Sequence, residues 1–185
     1  MDHGLLRLVW RNFATVDDQV LRSNHLGSFH LSNLKKNGLR SIINLRGGQQ
    51  LAQNAFEKEF CQINKVIYYN VPLASTQWPS KQALLKLIDI FENAESKILI
   101  HCKSGADRTG LVVGIYSIWK FKVSGQEAKK NLSFRFLHWK HGKKGILGKF
   151  FDYYDATNDG TVDFVEWVKI CYLEDIENKR GVTEK

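Results

Sequence analysis

Cysteine is scarce in this chain: only three occur in 185 residues, at positions 61, 102 and 171. An odd number so widely spaced argues against a disulfide framework and fits a reducing, cytoplasmic compartment. Cys61 and Cys171 stand in apolar surroundings and read as core residues; the alternative is that one of them protects an oxidised Cys102 by forming a disulfide. Long apolar runs are missing as well. No stretch approaches the length of a membrane span, and the amino terminus lacks the apolar run of a signal peptide. There is no internal repeat, no low-complexity tract and no obvious linker. A single domain over 1–185 is therefore expected, with a core at about 16–140, a helical carboxy-terminal extension at about 147–176, and fraying from Val182 onward. Acidic residues are in deficit: 27 Lys and Arg against 19 Asp and Glu leave a formal charge of +8. Part of that excess lies in Lys140, His141, Lys143, Lys144 and Lys149, and part in Lys129 and Lys130. Such a surface suits phosphoproteins, inositol phospholipids or peripheral membrane contact, unless it is simply a solvated face. No aromatic–glycine RNA motif and no helix-turn-helix accompanies it, so nucleic acid is not an expected partner. A monomer is the expected state.

What is present is an apolar content of 43%, enough for a real core, arranged in alternating helical and strand patterns. His30 to Asn37 reads as a helix closed by Gly38, Ser41 to Leu45 as a buried strand, Gln50 to Phe60 as a helix, and Val66 to Val71 as the next strand. Pro79 opens a helix with Leu84, Leu87, Ile88 and Phe91 on one face. Ile98 to His101 reads as a central strand, and the segment from Leu111 to Phe121 as a buried helix. Ser124 and Glu127 have the spacing of a capping box, and helices are expected over roughly 147–154 and 164–175. The implied architecture is α/β, a central mostly parallel sheet of four to five strands flanked by helices.

Between the strand at 98–101 and the helix lies His101-Cys102-Lys103-Ser104-Gly105-Ala106-Asp107-Arg108-Thr109-Gly110. A strand that breaks into a glycine-containing loop and restarts as a helix gathers backbone N–H groups at the positive end of a helix dipole, which is an anion site. A cysteine inside that ring, Cys102, is favoured as a thiolate. Arg108 offers a planar fork of donors that matches two phosphate oxygens. A nucleophile, an anion cradle and a bidentate clamp in ten residues point to phosphate-ester hydrolysis through a phosphocysteine, with no cofactor and no metal required.

This stretch resembles the signature loop of the cysteine-dependent protein tyrosine and dual-specificity phosphatases, with His101, Cys102, Gly105, Arg108, Thr109 and Gly110 on the family pattern. Val20-Leu21-Arg22-Ser23 and Lys36 to Arg46 resemble the amino-terminal half of the compact bacterial dual-specificity type. The resemblance implies that Cys102 attacks phosphorus and forms a thiophosphate, which water then hydrolyses. It implies that Arg108 binds the equatorial oxygens. Thr109 can cap the helix or donate to the sulfur. Lys103, Ser104, Gly105 and Ala106 are the expected substrate-binding residues, through backbone N–H groups and, for Lys103, charge. His101 is expected as a structural member, and Arg46, Arg135 and His138 as positions of second rank, each more simply a structural contact.

The chain departs from the family over the general acid. Relatives carry an aspartate on a separate loop, but Leu73-Ala74-Ser75-Thr76-Gln77-Trp78-Pro79-Ser80 holds no carboxylate. Asp107 is the remaining candidate, since its place before the arginine resembles myotubularin-type lipid phosphatases; the alternative is an aspartate that braces loop amides. The preferred substrate is phosphotyrosine or phosphoserine/threonine in proteins. A phosphoinositide or inositol phosphate is the alternative within enzymes, and a phosphate-binding or calcium-linked module the one outside them.

A second motif competes for attention. Asp155 to Glu166 resembles an EF-hand loop, with Asp155, Asp159, Gly160, Val162 and Glu166 in agreement. Thr157 at the third position removes a charge, and no partner loop exists. Phe150, Tyr154, Phe164, Trp167 and Val168 follow a packing pattern of the phosphatase relatives, so a polar helix–turn–helix loop is preferred to a metal site.

Overall fold

The computed structural model describes residues 11–48, 51–138 and 145–173. Among these lie a five-stranded, mostly parallel sheet and seven α-helices, an α/β arrangement. Contacts divide the chain into two compact units of two segments each: Met1–Pro72 with Asn93–Thr109, and Leu73–Glu92 with Gly110–Lys185.

The first unit carries the sheet: β1 (Ala14–Thr15), β2 (Val20–Ser23), β3 (Ser41–Asn44), β4 (Ile67–Asn70) and β5 (Ile98–His101), in the order β1-β2-β5-β3-β4. β1 pairs antiparallel with β2, and the other pairings are parallel. β5 is thus hydrogen-bonded on both edges and wholly buried, which is why Ile98-Leu99-Ile100 reads as an unbroken apolar run. Its last residue, His101, is in register with Ser23 on one side and Asn44 on the other. The carboxyl ends of three strands therefore converge where the chain enters the loop.

Two helices belong to this unit, α1 (Ser28–Lys36) and α2 (Ala52–Ile63). Leu31 of α1, Phe60 and Cys61 of α2, Ile42 of β3 and Leu99 of β5 join Leu26, Leu39 and Val66 in one buried cluster. Each fully buried leucine there contributes about 2 kcal/mol. Burial, helped by Glu57, pushes the Cys61 thiol up to about 12, so Cys61 is an inert core residue. Gly38, at φ +95°, turns the chain out of α1 in a conformation that favours glycine.

α3 (Lys81–Asn93) and α4 (Asp107–Phe121) follow; α4 begins in the first unit and continues in the second. The second unit also holds α5 (Gly125–Lys129), a 3₁₀ turn at Phe134–Phe136, α6 (Ile146–Thr157) and α7 (Phe164–Ile170). Aromatic rings build its core. Trp78 meets Phe150 edge-on at 5.9 Å, Phe164 stacks on Trp167 at 5.7 Å, and Tyr154 meets Trp167 at 4.9 Å. Trp78 Nε1 donates to the Ile146 carbonyl at 2.9 Å, and the Tyr172 hydroxyl to that of Pro79 at 2.7 Å. Ser124 caps α5 by accepting from the Glu127 N–H, the contact expected from its spacing.

Among the boundaries that differ from the sequence pattern are those of α4, α3 and α7. α4 starts at Asp107, four residues before the apolar run at Leu111, because its first turn is polar. α3 begins at Lys81, two residues beyond Pro79. α7 stops at Ile170, short of the expected 175. Lys140, His141, Lys143, Lys144 and the stretch from Val182 lie outside the described residues. No helix among those described is long and apolar enough to cross a membrane.

Candidate active site

The loop after β5 is short and held tightly by its carbonyls. Asn12 Nδ2 donates to the Ser104 carbonyl at 2.9 Å, and Arg22 Nη2 to the Gly105 carbonyl at 3.0 Å. His101 Nδ1 lies 3.4 Å from the Cys102 carbonyl. In a trans peptide the N–H points opposite to its carbonyl, so these contacts also set where the amides of Lys103, Gly105 and Ala106 point. They face away from the pinning side chains, the arrangement that makes a ring of donors for an anion. Gly105 sits at φ +71°, and a Cβ there would lie 2.7 Å from backbone atoms of Ser23 and Asn24. Only glycine fits both demands.

All the expected residues 102–109 fall on this loop and the first turn of α4. Cys102 is buried at 1% exposure, just beyond the end of β5. Lys103 is exposed, Ser104 half-buried, and Ala106 and Asp107 buried. Arg108 is half-buried, and its Nη1 donates to the Leu45 carbonyl at 3.3 Å. A guanidinium has five N–H donors, so this bond still leaves a fork for phosphate oxygens. Asp107 opens the helix rather than preceding it. The Thr109 hydroxyl is buried and makes no hydrogen bond in this structure, so it neither caps α4 nor meets the sulfur here. Of the positions of second rank, Arg46 is buried and donates to Gln53 Oε1 at 2.9 Å, an internal contact. Arg135 is exposed over the Phe136 ring and His138 is buried, both within the second unit.

Beneath the loop lies a polar network that the sequence reading missed. His101 Nε2 is 2.8 Å from Glu57 Oε1, with both side chains fully buried. The oxygen lies off the line of the ring N–H, so the contact is more an ion pair than a straight hydrogen bond. Glu57 Oε2 accepts from Asn44 Nδ2 at 2.7 Å. Burial works against the Glu57 charge, yet His101, His25 and Asn44 together hold its carboxyl below the ordinary value. Burial pushes His25 down to about 4, with His101 and Arg46 adding to the fall against the pull of Glu57. The ligand atoms of His25, Glu57 and His101 lie within 4.8 Å of one another, a spacing that could also admit a metal ion. The 2.8 Å separation of His101 Nε2 and Glu57 Oε1 is that of a direct contact between the two side chains. One signal was available: Glu57 sits with Asn54, Phe60 and Cys61 on the buried face of α2, and an acid on an apolar face needs a partner.

Several acceptors of the EF-hand-like loop are occupied within the protein. Asp155 takes the N–H groups of Gly125 and Gln126 at 2.6 and 2.9 Å, and so caps α5. Asn158 Oδ1 accepts from Gly160 N, Asp159 Oδ1 from Thr161 N, and Asp163 Oδ1 from Glu166 N. Thr157 Oγ1 accepts from Trp167 Nε1 at 3.0 Å. The loop is a helix–turn–helix closure built from caps.

A family model described as "Polymorphic toxin system, DSP-PTPase phosphatase" matches residues 22–122. Among curated proteins, the inositol diphosphatase DSP3 of Arabidopsis thaliana is 29% identical over 147 residues, covering 75% of this chain and 70% of that protein. The human dual specificity protein phosphatase CDC14C is 30% identical over 60 residues, 32% of this chain and 13% of its own length. Among solved structures, the core catalytic domain of the PP-IP phosphatase Siw14 from S. cerevisiae superimposes with a TM-score of 0.65 at 24% identity, over 81% of this chain and 88% of that one. Tk-PTP in its active form follows at 0.60 and 19%, over 76% and 95%. These likenesses establish the fold.

Proposed function

The chain belongs to the DSP-PTPase phosphatase family of polymorphic toxin systems, and on that premise we propose that it cleaves the terminal phosphate from inositol diphosphates through a phosphocysteine on Cys102. Its substrates are phosphorylated molecules. In the proposed first step Cys102 Sγ attacks phosphorus, and an S–P bond forms as the bond to the leaving oxygen breaks. The loop amides and Arg108 hold the equatorial oxygens where charge spreads. Thr109, whose hydroxyl has no internal partner, is available to the thiolate as it leaves. Water then hydrolyses the thiophosphate, releasing inorganic phosphate and restoring the thiolate. The observation that carries this reading is the pinning of the Cys102, Ser104 and Gly105 carbonyls, which commits the neighbouring amides to an anion.

The substrate class rests on chemistry and likeness together. Leu73 to Ser80 holds no carboxylate, which leaves Asp107 as the proposed acid. A phosphoanhydride expels a phosphate, a weakly basic group that needs little protonation, so its cleavage tolerates a poor acid better than a phosphotyrosyl ester does. A curated relative over three quarters of the chain is named an inositol diphosphatase, and Lys103 is exposed beside the nucleophile. Phosphotyrosyl protein is the second reading, favoured by the dual-specificity relatives. The three free cysteines suit a cytoplasmic location. The chain is proposed to work as one domain, since the family match draws on both units.

Phosphate release from an inositol diphosphate, a phosphotyrosyl peptide and phosphoinositide vesicles, side by side with Cys102→Ser, tests this. Fastest turnover on the soluble inositol diphosphate, abolished by the substitution, is expected. Faster turnover of the peptide would move the substrate to the second reading. Turnover that survives Cys102→Ser would end the phosphocysteine mechanism.

A further inference from the structure

We propose that Asn44 is a positioning residue for Arg108: its side chain folds the end of β3 into a turn whose carbonyl holds the guanidinium in place for a phosphate. The inference deepens the reading of the loop as a phosphate site and rests on Arg108 as its clamp. Asn44 closes β3, wholly buried, and its Oδ1 accepts from the Arg46 N–H two residues on at 2.8 Å. That contact is an Asx turn. The Arg46 N–H and the Leu45 carbonyl belong to one trans peptide and point in opposite directions. Drawing the N–H towards Asn44 therefore turns the carbonyl the other way, where it accepts from Arg108 Nη1 at 3.3 Å. The rest of the turn is braced as well. The Leu45 N–H donates to the His101 carbonyl at 3.0 Å, and Asn70 Nδ2 donates to the Asn44 and Arg46 carbonyls at 3.1 and 3.0 Å. Arg108 thus meets a carbonyl whose direction is set by the fold.

A carboxamide is what this place demands. Asn44 Nδ2 donates to Glu57 Oε2 of α2 at 2.7 Å and to the Tyr68 hydroxyl of β4 at 3.0 Å. Asn54 Oδ1, also from α2, lies 3.3 Å from the same nitrogen. A carboxylate accepts and a backbone N–H donates, so the neighbours settle which end of the amide points where. Aspartate would set a second carboxylate against Glu57. An apolar side chain would take this partner from both the Glu57 carboxylate and the Arg46 N–H in a buried setting. The consequence at the site is geometric. With Nη1 engaged by Leu45, the guanidinium is restrained on its long side chain, and its remaining N–H groups present one edge to two phosphate oxygens. A displaced fork costs most where charge spreads in the transition state.

The direct test uses the parent protein. In ¹⁵N spectra the two Nη signals of Arg108 are expected to be resolved, because a guanidinium bonded at one Nη rotates slowly; a single averaged signal overturns the proposal. A second test compares Asn44→Val with Asn44→Thr, matched β-branched residues that differ by one hydroxyl, which can make the same turn more weakly. The probe is tungstate, a tetrahedral dianion. Asn44→Val is expected to weaken its binding about tenfold and to lower kcat about tenfold. Asn44→Thr is expected to recover part of both, and no gain over Asn44→Val counts against the turn. On an Arg108→Lys background, Asn44→Val is expected to add less than about twofold. An equal loss on both backgrounds assigns Asn44 to the fold alone and refutes the positioning role. Thermal unfolding accompanies each titration; if Asn44→Val does not fold, the Arg108 spectrum and the same cycle with Asn44→Thr decide. Tungstate binding needs no nucleophile, so the titrations are repeated in Cys102→Ser. If turnover survives that substitution the phosphocysteine reading fails, while the oxyanion cycle still judges Asn44.

Discussion

Two loops in this molecule match well-known motifs, and their peptide groups are satisfied in opposite senses. In Asp155 to Glu166 the side chains are acceptors: Asp155, Asn158, Asp159 and Asp163 each take up backbone N–H groups. Much of the acceptor capacity of that loop is spent inside the protein, where these oxygens cap helices and close turns. In Cys102 to Thr109 the assisting side chains are donors: Asn12 and Arg22 hold carbonyls, and His101 Nδ1 faces a third. There the pinned carbonyls turn the amides of Gly105 and Ala106 away from the supporting side chains. A loop matched by residue type alone can belong to either class, and which half of its peptides is already paired decides what it can bind.

The sharpest break of this comparison is at the nucleophile. Cys102→Ser is expected to lower turnover by more than about a thousandfold, and Arg108→Lys by about a hundredfold, measured as kcat on the best substrate. Next comes a pair of matched glycines. Gly105→Ala places a Cβ 2.7 Å from the Ser23 and Asn24 backbone at φ +71°, whereas Gly160→Ala, at φ +86°, meets nothing within 4 Å. Thermal unfolding should show a loss of about 3 kcal/mol or more for the first and about 1 to 2 kcal/mol for the second. Turnover should collapse in the first alone.

Acid stability probes the buried network. His25 titrates at about 4 in the fold against 6.5 ordinarily, so the unfolded chain binds its proton first. Stability should therefore fall as pH drops from about 6.5 towards 4, and His25→Gln should flatten that limb. Glu57 acts at lower pH. Its folded value lies below the ordinary one, so its contribution is complete above about 4.5 and is lost as pH falls further. Urea unfolding at several pH values separates the two windows. The smallest effect is expected at the second loop. Asp155→Ala should cost about 1 kcal/mol through the lost cap on α5 and leave turnover unchanged. Calorimetry of the parent chain with millimolar calcium should give no binding heat. Measurable heat, abolished in Asp155→Ala, would show that the caps give way to an ion.

What was legible in the sequence was local. β5 declared itself by an apolar run, α5 by Ser124 and Glu127, and the phosphate loop by residues that lie within ten positions of one another. β2 did not, because Val20-Leu21-Arg22-Ser23 is too short for a period and contains a charge; its strand character comes from pairing with β5, almost 80 residues later. The supports of the loop were hidden for the same reason. Asn12, Arg22, Asn44 and Glu57 come from four separate segments, and nothing in their local sequence says that they meet.

The sequence by itself therefore determined the chemistry: a thiol, a guanidinium and a glycine turn close enough along the chain that their geometry follows from a single strand–loop–helix unit. Tertiary structure decided the rest. It inserted β5 between β2 and β3, set His101 against Glu57, and gave Asp155 to a helix terminus rather than to an ion. The division follows from range. Peptide geometry acts over a few residues and can be read along the chain, whereas the pairing of a buried charge depends on which distant segment folds against it.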